Sequence, residues 1–261
     1  MADGSVLTVV RSAWRDVLAS GVADYRATYT VRSWTFGWLV RLVAQVTYFG
    51  LLGVLARDPR ATGEIVLGNV VLLTSVSTLF AVSAIARERR FGTIDSLLLA
   101  RVPLAVSLGL RNLVWVADGM ATALLALGFA SALFDLRFPW QTYLLAVPAC
   151  ALAGVATLGV ALVAGTLVLD HPSVRSLLAG IITAALAVLG GVNYPVPPAV
   201  SVPLRVLPVT DPILVLKRSA YGGDWLVELG IAAVVAVAWL VAAVVTVDRW
   251  TSRTRSAPVR R

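Results

Sequence analysis

The stretch IVLGNVVLLTSVSTLFAVSAIARERRFGTIDSLLLARVP, Ile65 to Pro103, establishes the fold class of this chain. Its first 22 residues carry no charge and its last 17 carry six charged side chains, although the whole chain is 59% hydrophobic and only 14% charged. An apolar run of roughly 20 residues is what an α-helix needs to cross a bilayer. The stretch therefore predicts a membrane-spanning helix followed by a charged segment outside the membrane.

The rest of the chain repeats this apolar pattern. Its mean hydropathy of +0.86 indicates that most of the protein is dissolved in lipid. Continuous apolar runs in lipid form helices, because no water is available to the backbone, and they are too long for the alternating strands of a β-barrel. We predict an all-α membrane protein whose residues 34–248 form a six-span transmembrane domain. The predicted spans are at about 34–56, 65–86, 113–134, 143–169, 174–193 and 226–247.

The chain has a net charge of +8, and its positive side chains are unevenly distributed between the two sides of the predicted topology. If the segments between spans alternate in side, 15 of the 22 lysines and arginines lie on one side, six lie on the other, and Arg41 lies within a span. The positive-inside rule places the arginine-rich side in the cytoplasm. This pattern predicts a multi-pass protein of the plasma (inner) membrane with both termini in the cytoplasm. It argues against a nucleic-acid partner and makes membrane lipid the main surrounding of the chain.

Three further segments lie outside the spans. Residues 1–33 place apolar side chains at three- and four-residue steps, which is typical of an amphipathic helix resting in the headgroup layer. The alternative is a helix packed against a soluble partner. Residues 193–225 hold six of the twelve prolines in a sequence rich in Val and Leu, which predicts short re-entrant helices on the external side. Residues 249–261 form a basic cytoplasmic tail.

Two charged residues fall within predicted spans. Arg41 and Asp118 each lie roughly 8–10 Å from the cytoplasmic side, at about 1.5 Å per helical residue. A charge at this depth is a functional candidate, and we predict that the two side chains form a pair or share a polar cavity. The simpler alternative, which the long side chain of Arg41 favours, is that Arg41 extends to the cytoplasmic headgroups.

The sequence shows no catalytic or metal-binding motif. Its only lysine is Lys217, and no G-x-x-x-x-G-K-[ST] phosphate-binding loop is present. The single histidine, His171, has no cysteine or histidine partner for zinc, and the single cysteine, Cys150, has no second cysteine for a disulfide. We therefore predict a protein that is not an enzyme and has no metal or cofactor of its own.

The charged segment 87–103 predicts a short amphipathic helix outside the membrane. Thr93 is a candidate cap, Asp95 would lie near the positive end of the helix, and Ile94 and Leu98 share a face. Water is a poor surrounding for such a face. We therefore expect the helix to lie on lipid or to dock into another protein.

The same residues resemble a known family. The run from Arg87 to Ala100 is similar to the E-R-x-x-G-T-[LI]-[ED]-x-L-L-x segment of ABC transporter type-2 permeases, which forms a coupling helix in a cleft of the ATPase subunit. Six spans, an amphipathic N-terminal helix and a proline-rich external segment agree with that family. The family commonly shows Asn-Pro followed by an arginine in the external segment, whereas here Asp211-Pro212 is followed by Lys217-Arg218.

The resemblance implies the membrane subunit of an ATP-driven exporter. A separate ATPase, in two copies, would bind ATP and Mg, and a second permease chain, identical or a sister, would complete the path. Alternating access would then export a hydrophobic or amphipathic drug, peptide or lipid. The alternative is a membrane-embedded enzyme or assembly factor without an ATPase partner. The residues that would shape or contact the ATPase interface are Glu88, Arg89, Phe91, Gly92, Thr93, Asp95 and Leu98.

Overall fold

The protein was analysed as a computed structural model, and every regular element in its described part is a helix. The structure describes the backbone of residues 3–55, 57–100, 102–194 and 198–256, and the side chains of these residues apart from 3–13, 38, 39, 41, 198 and 256. The helices are α1 (Asp3–Thr28), α2 (Val31–Leu55), α3 (Pro59–Thr78), α4 (Phe80–Arg90), α5 (Thr93–Leu99), α6 (Leu104–Leu133), α7 (Trp140–Asp170), α8 (Arg175–Leu189), α9 (Pro198–Leu204), α10 (Thr210–Tyr221) and α11 (Leu226–Ser256).

Six helical segments in the described ranges are long and apolar enough to cross a membrane. These segments are Val31–Leu55, Pro59–Arg90, Leu104–Leu133, Trp140–Asp170, Pro172–Leu189 and Leu226–Arg255. The all-helical class and the number of candidate spans are therefore confirmed. The second and sixth segments run further than predicted, to Arg90 and Arg255. Their extra residues include arginines in the last helical turn, where a positive charge is favourable at the negative end of the helix.

The second segment is two helices, α3 and α4, whose hydroxyl side chains bond within the protein. Thr78 Oγ1 donates to the carbonyl oxygen of Thr74 at 2.9 Å. Thr74 Oγ1 donates to the carbonyl oxygen of Gly119 at 3.3 Å, and Thr157 Oγ1 donates to Ser75 Oγ at 2.9 Å. These bonds link α3 to α6 and α7, as hydrogen bonds between helices in lipid commonly do.

Helix α7 lies at the centre of the bundle, against α3, α4, α6, α10 and α11. Its glycines allow close approach on two sides: a Cβ added at Gly159 would lie 2.7 Å from the carbonyl carbon of Trp239, and one added at Gly165 would lie 2.6 Å from Ile85 Cδ1. Small residues at such contacts bring helices together in lipid. Helices α2, α8 and α11 instead expose long apolar faces at the edge of the bundle.

The connections between helices group into two ends of the bundle. At one end, here called the basic end, the segment between α4 and α6 meets the last turn of α11, where an Arg255 guanidinium nitrogen donates to the carbonyl oxygen of Leu98 at 2.9 Å. At the other, the distal end, α10 meets the start of α3, where the Tyr221 hydroxyl donates to the carbonyl oxygen of Arg60 at 3.1 Å. Successive connections thus alternate between ends, as spanning helices require.

Candidate functional site

Helix α5 begins at a sharp turn below the last turn of α4. Gly92 has φ 71° in the left-handed region, a conformation that glycine adopts without the steric penalty of a Cβ. The predicted cap is wrong: Gly92 occupies the cap position and Thr93 is the first helical residue. Because Thr93 starts α5 next to α4, its hydroxyl donates to the carbonyl oxygen of Glu88 at 3.1 Å and also to the Glu88 carboxylate.

The apolar face of α5 packs on its own chain. Ile94 is fully buried, and Leu98 is half-buried against the core. Ile94 therefore needs neither lipid nor another protein to cover it, because α4 and α6 pack against α5, whereas a partner for the half-buried Leu98 stays a prediction. Residues at both ends of α5 are open to the surroundings, with Phe91, just before the helix, 78% exposed and Leu99, its last residue, 88% exposed. We call a set of exposed residues on and next to α5 the α5 surface, and its members are Arg89, Phe91, Gly92, Thr93, Asp95 and Leu99.

A charged network fixes the base of α5. Arg111 of α6 pairs with Glu88, with 2.7 Å between Nη2 and Oε1, and also with Asp24 of α1. Glu88, predicted at the ATPase interface, thus has its carboxylate engaged within the chain. Gly21 lets α1 approach closely, since a Cβ added there would lie 2.3 Å from the carbonyl oxygen of Arg111. Sequence analysis missed Asp24 and Arg111, because nothing local connects residues 87 positions apart.

Asp118 lies about two helical turns after Arg111 on α6 and accepts hydrogen bonds from residues on either side of the connection between α1 and α2. The Tyr25 hydroxyl donates to Asp118 Oδ1 at 2.6 Å, and Trp34 Nε1 donates to the same oxygen at 2.9 Å. Burial, followed by the hydrogen bond to Asp118, raises the pKa of Tyr25, so the hydroxyl stays a donor. The side chain of Arg41 lies outside the described residues, and the pairing of Arg41 with Asp118 stays a prediction.

Cavities flank α5 on both sides. One of about 410 Å³ lies between α1, α4 and α6 and is lined by Tyr25, Phe91 and Trp115 together with the charged network. Another of about 470 Å³ lies between α5 and α11 and is lined in part by Leu98 and Asp248. A helix with open space on both sides offers a protruding surface to a partner.

A second charged network lies at the distal end. The Glu228 carboxylate is only 2% exposed and accepts hydrogen bonds from Arg205 at 3.2 Å and from Arg218 at 3.0 Å. Asp211 is 1% exposed, its Oδ1 lies 3.7 Å from Arg205 Nε, and neither carboxylate oxygen has a hydrogen-bond partner. Burial raises the pKa of Asp211 to about 6, although the nearby positive charge of Arg205 acts to lower it.

The proline-rich segment forms two short helices, α9 and α10. Pro212 lies in the first turn of α10, where proline is tolerated. Asp211 and Arg218 belong to one network, because Arg205 lies near Asp211 and shares the Glu228 carboxylate with Arg218. Sequence analysis missed Glu228, because it lies near the start of the last apolar run. An acidic residue at a span end, close in sequence to arginines in the preceding segment, was the available signal. Prolines 195 and 197 lie outside the described residues.

Within the described ranges, no three His, Cys, Asp or Glu side chains come together as metal ligands would. Comparison of the chain with protein-family models finds no match, and comparison with curated proteins finds none. The resemblance to type-2 permeases therefore rests on the motif and on the order of the apolar segments. The described chain is an all-helical protein with six apolar helices of membrane-spanning length.

Proposed function

We propose that the protein is the membrane subunit of an ATP-driven exporter, which moves a hydrophobic or amphipathic cargo by alternating access. The observation that carries the proposal is the α5 surface, where Phe91 and Leu99 are exposed beside the charged side chains of Arg89 and Asp95. Large apolar side chains exposed among polar ones mark sites of protein interaction. The chain has no phosphate-binding loop, so the partner of this surface is a separate ATPase subunit that binds ATP and Mg.

The charged network beneath α5 supports this role. Thr93 bonds to Glu88, Glu88 pairs with Arg111, and Arg111 pairs with Asp24. In the proposed mechanism these contacts carry movement of α5 to α4, α6 and α1, since coupling between sites runs through packed side chains and ion-pair networks. Glu88 is a positioning residue in this scheme, and the residues that touch the ATPase are those of the α5 surface.

The exposed helices at the edge of the bundle support a second permease chain. Helix α8 is nearly unburied, and its exposed side chains include Leu177, Ile181 and Val188. Six spans are few to enclose a translocation path. A second copy or a sister permease on this side would complete it. In this arrangement the basic end faces the cytoplasm, following the positive-inside rule, and α1 lies in the headgroup layer.

Co-purification tests the proposal. The chain is co-expressed with each ATP-binding-cassette ATPase subunit of its source genome that lacks membrane spans of its own, and any complex is measured by size-exclusion chromatography and by ATPase rate. We expect a stable complex whose affinity falls about tenfold or more in Phe91→Ala, since buried aromatic anchors dominate interfaces. Phe36→Ala, a change at an exposed phenylalanine of α2, is the matched control and should bind as the unaltered chain does.

The result that overturns the proposal is equally direct. If none of the ATPase subunits binds the chain, or if Phe91→Ala binds as tightly as Phe36→Ala, the α5 surface is not a docking site for an ATPase. A chain that folds and inserts without any such partner would then belong to the class of membrane-embedded enzymes or assembly factors.

A further inference from the structure

The distal end holds a cavity of about 410 Å³ that the proposed function does not use. It lies where the end of α8 meets α9, α10 and the start of α3. A pocket of this size is within the range that accommodates small ligands. The side chains that define its chemistry are Glu64, Arg205, Ile213, Leu214, Lys217 and Arg218.

The three cations of this cavity have more donors than the described protein groups use. Lys217 Nζ donates one hydrogen bond, to the carbonyl oxygen of Gly191 at 2.9 Å, and an ammonium has three donors. Arg205 donates to Glu228, and Arg218 donates to Glu228 and to the carbonyl oxygen of Asp224. Each guanidinium has five N–H groups. Most of these donors are therefore left for a ligand or for water.

Lys217 is the cation that most lacks a counter-charge. Burial lowers the pKa of Lys217, and among the described groups only the Glu64 carboxylate opposes that effect. Arg205 and Arg218 already share the Glu228 carboxylate. An anion in the cavity would stabilise the charged form of Lys217, since an opposite charge nearby offsets desolvation.

An apolar strip lies next to the cavity. Val200, Val202 and Val206 are exposed on and just after α9, and they alternate in sequence with the cavity-lining residues Ser201 and Arg205. Covering these valines with an aliphatic chain is favourable, because it removes apolar surface from water. A ligand with an anionic headgroup and an aliphatic tail fits both surfaces, with the headgroup in the cavity and the tail along the valines.

We propose that the distal cavity binds the headgroup of an anionic lipid. Lys217 is its main charge partner, Arg205 and Arg218 add further donors, and the lipid tail lies along the exposed valines on and just after α9. Glu64 is the one carboxylate in the lining and weakens binding by repulsion. This site goes beyond the proposed function, because lipid binding at the distal end requires neither an ATPase nor a cargo.

Binding is measured on the full chain purified in an uncharged detergent, by microscale thermophoresis with dioctanoyl phosphatidylglycerol. Dioctanoyl phosphatidylcholine and inorganic phosphate are the comparison probes. We expect the anionic lipid to bind at least about tenfold more tightly than either, because a charge-assisted hydrogen bond and a buried tail both contribute. Lys217→Gln should weaken binding of the anionic lipid about tenfold, and Glu64→Gln should strengthen it.

Arg137→Gln is the matched control, since it removes one positive charge from an exposed residue of the distal end that does not line the cavity. It should bind the anionic lipid as the unaltered chain does. The proposal is overturned if Lys217→Gln and Arg137→Gln bind alike, or if both lipids bind equally. It is also overturned if inorganic phosphate binds as tightly as the lipid, since the ligand is then a free anion. If Lys217→Gln does not fold, an unchanged affinity in Glu64→Gln overturns it.

Discussion

The charged networks at the two ends of the bundle differ in their access to water. At the basic end, Asp24 is 52% exposed, and it shares Arg111 with Glu88. At the distal end, the Glu228 carboxylate is almost completely buried between two arginines, and Asp211 is buried beside them without a hydrogen bond. Both networks join helices that are distant in sequence, and Glu88 at the basic end is 13% exposed, but only the distal network holds its carboxylates at 2% exposure or less.

This difference affects how much it costs to open each network. Ion pairs that water reaches contribute little to stability, because water replaces the partner when the pair opens. A buried carboxylate that loses its partners has no such replacement. The Asp24–Arg111 pair at the basic end should therefore open at lower cost than the network around Glu228 at the distal end.

The largest effect should follow from removing both arginines around Glu228. Arg205→Met combined with Arg218→Met leaves that buried carboxylate without a donor, which should lower the free energy of unfolding by about 3–5 kcal/mol. Adding Glu228→Met should restore most of the loss, because no buried carboxylate is then left without its arginine donors, and Asp211 is the same in both variants. Thermal unfolding in detergent measures both variants. If the double and triple variants unfold alike, the burial of Glu228 is not what makes the distal network costly to open.

The next effect is a pH dependence from Asp211. Its pKa is about 6 in the folded protein and 3.8 in the unfolded chain, so the fold holds the proton more tightly. Stability should therefore fall as pH rises from about 4 to about 6 and level off above that, by up to about 3 kcal/mol. Asp211→Asn should remove this step and be more stable than the unaltered chain at pH 7.

Unfolding across this pH range tests the assignment. Asp135→Asn, a change at an exposed carboxylate of the same end, is the control and should keep the step between pH 4 and 6. An Asp211→Asn variant with the same step as the control would show that another group causes it.

The smallest effect should follow from Glu88→Gln at the basic end. Arg111 keeps Asp24 as a partner, so the loss should be about 1 kcal/mol. Salt should reduce the difference further, since the Debye length falls to roughly 3 Å at about 1 M. Unfolding at low and at high salt measures it. A loss as large as that of the two distal arginines would remove the contrast between the ends.

The sequence predicted the helical spans but missed most of the hydrogen bonds and ion pairs that join one helix to another. The apolar runs were sufficient to predict six spans, and the charged segment was sufficient to predict the short helix α5. The covering of Ile94 by its own chain was not predicted, because the pattern of Ile94 and Leu98 shows an apolar face without showing what covers it. Asp211 and Arg218 were selected from the sequence, whereas Arg205 and Glu228, which join them, were not.

The amino-acid sequence by itself established that this chain is helical, apolar in six runs, and charged mainly between them. Each run could be assigned as a helix from its own residues, since in lipid a run must satisfy its backbone hydrogen bonds within itself. Only the packed structure established that Arg111 joins Asp24 to Glu88 and that Glu228 holds two arginines. Such partners lie on different helices, so their pairing depends on how helices approach, and close contacts such as that of Gly21 with Arg111 set that approach.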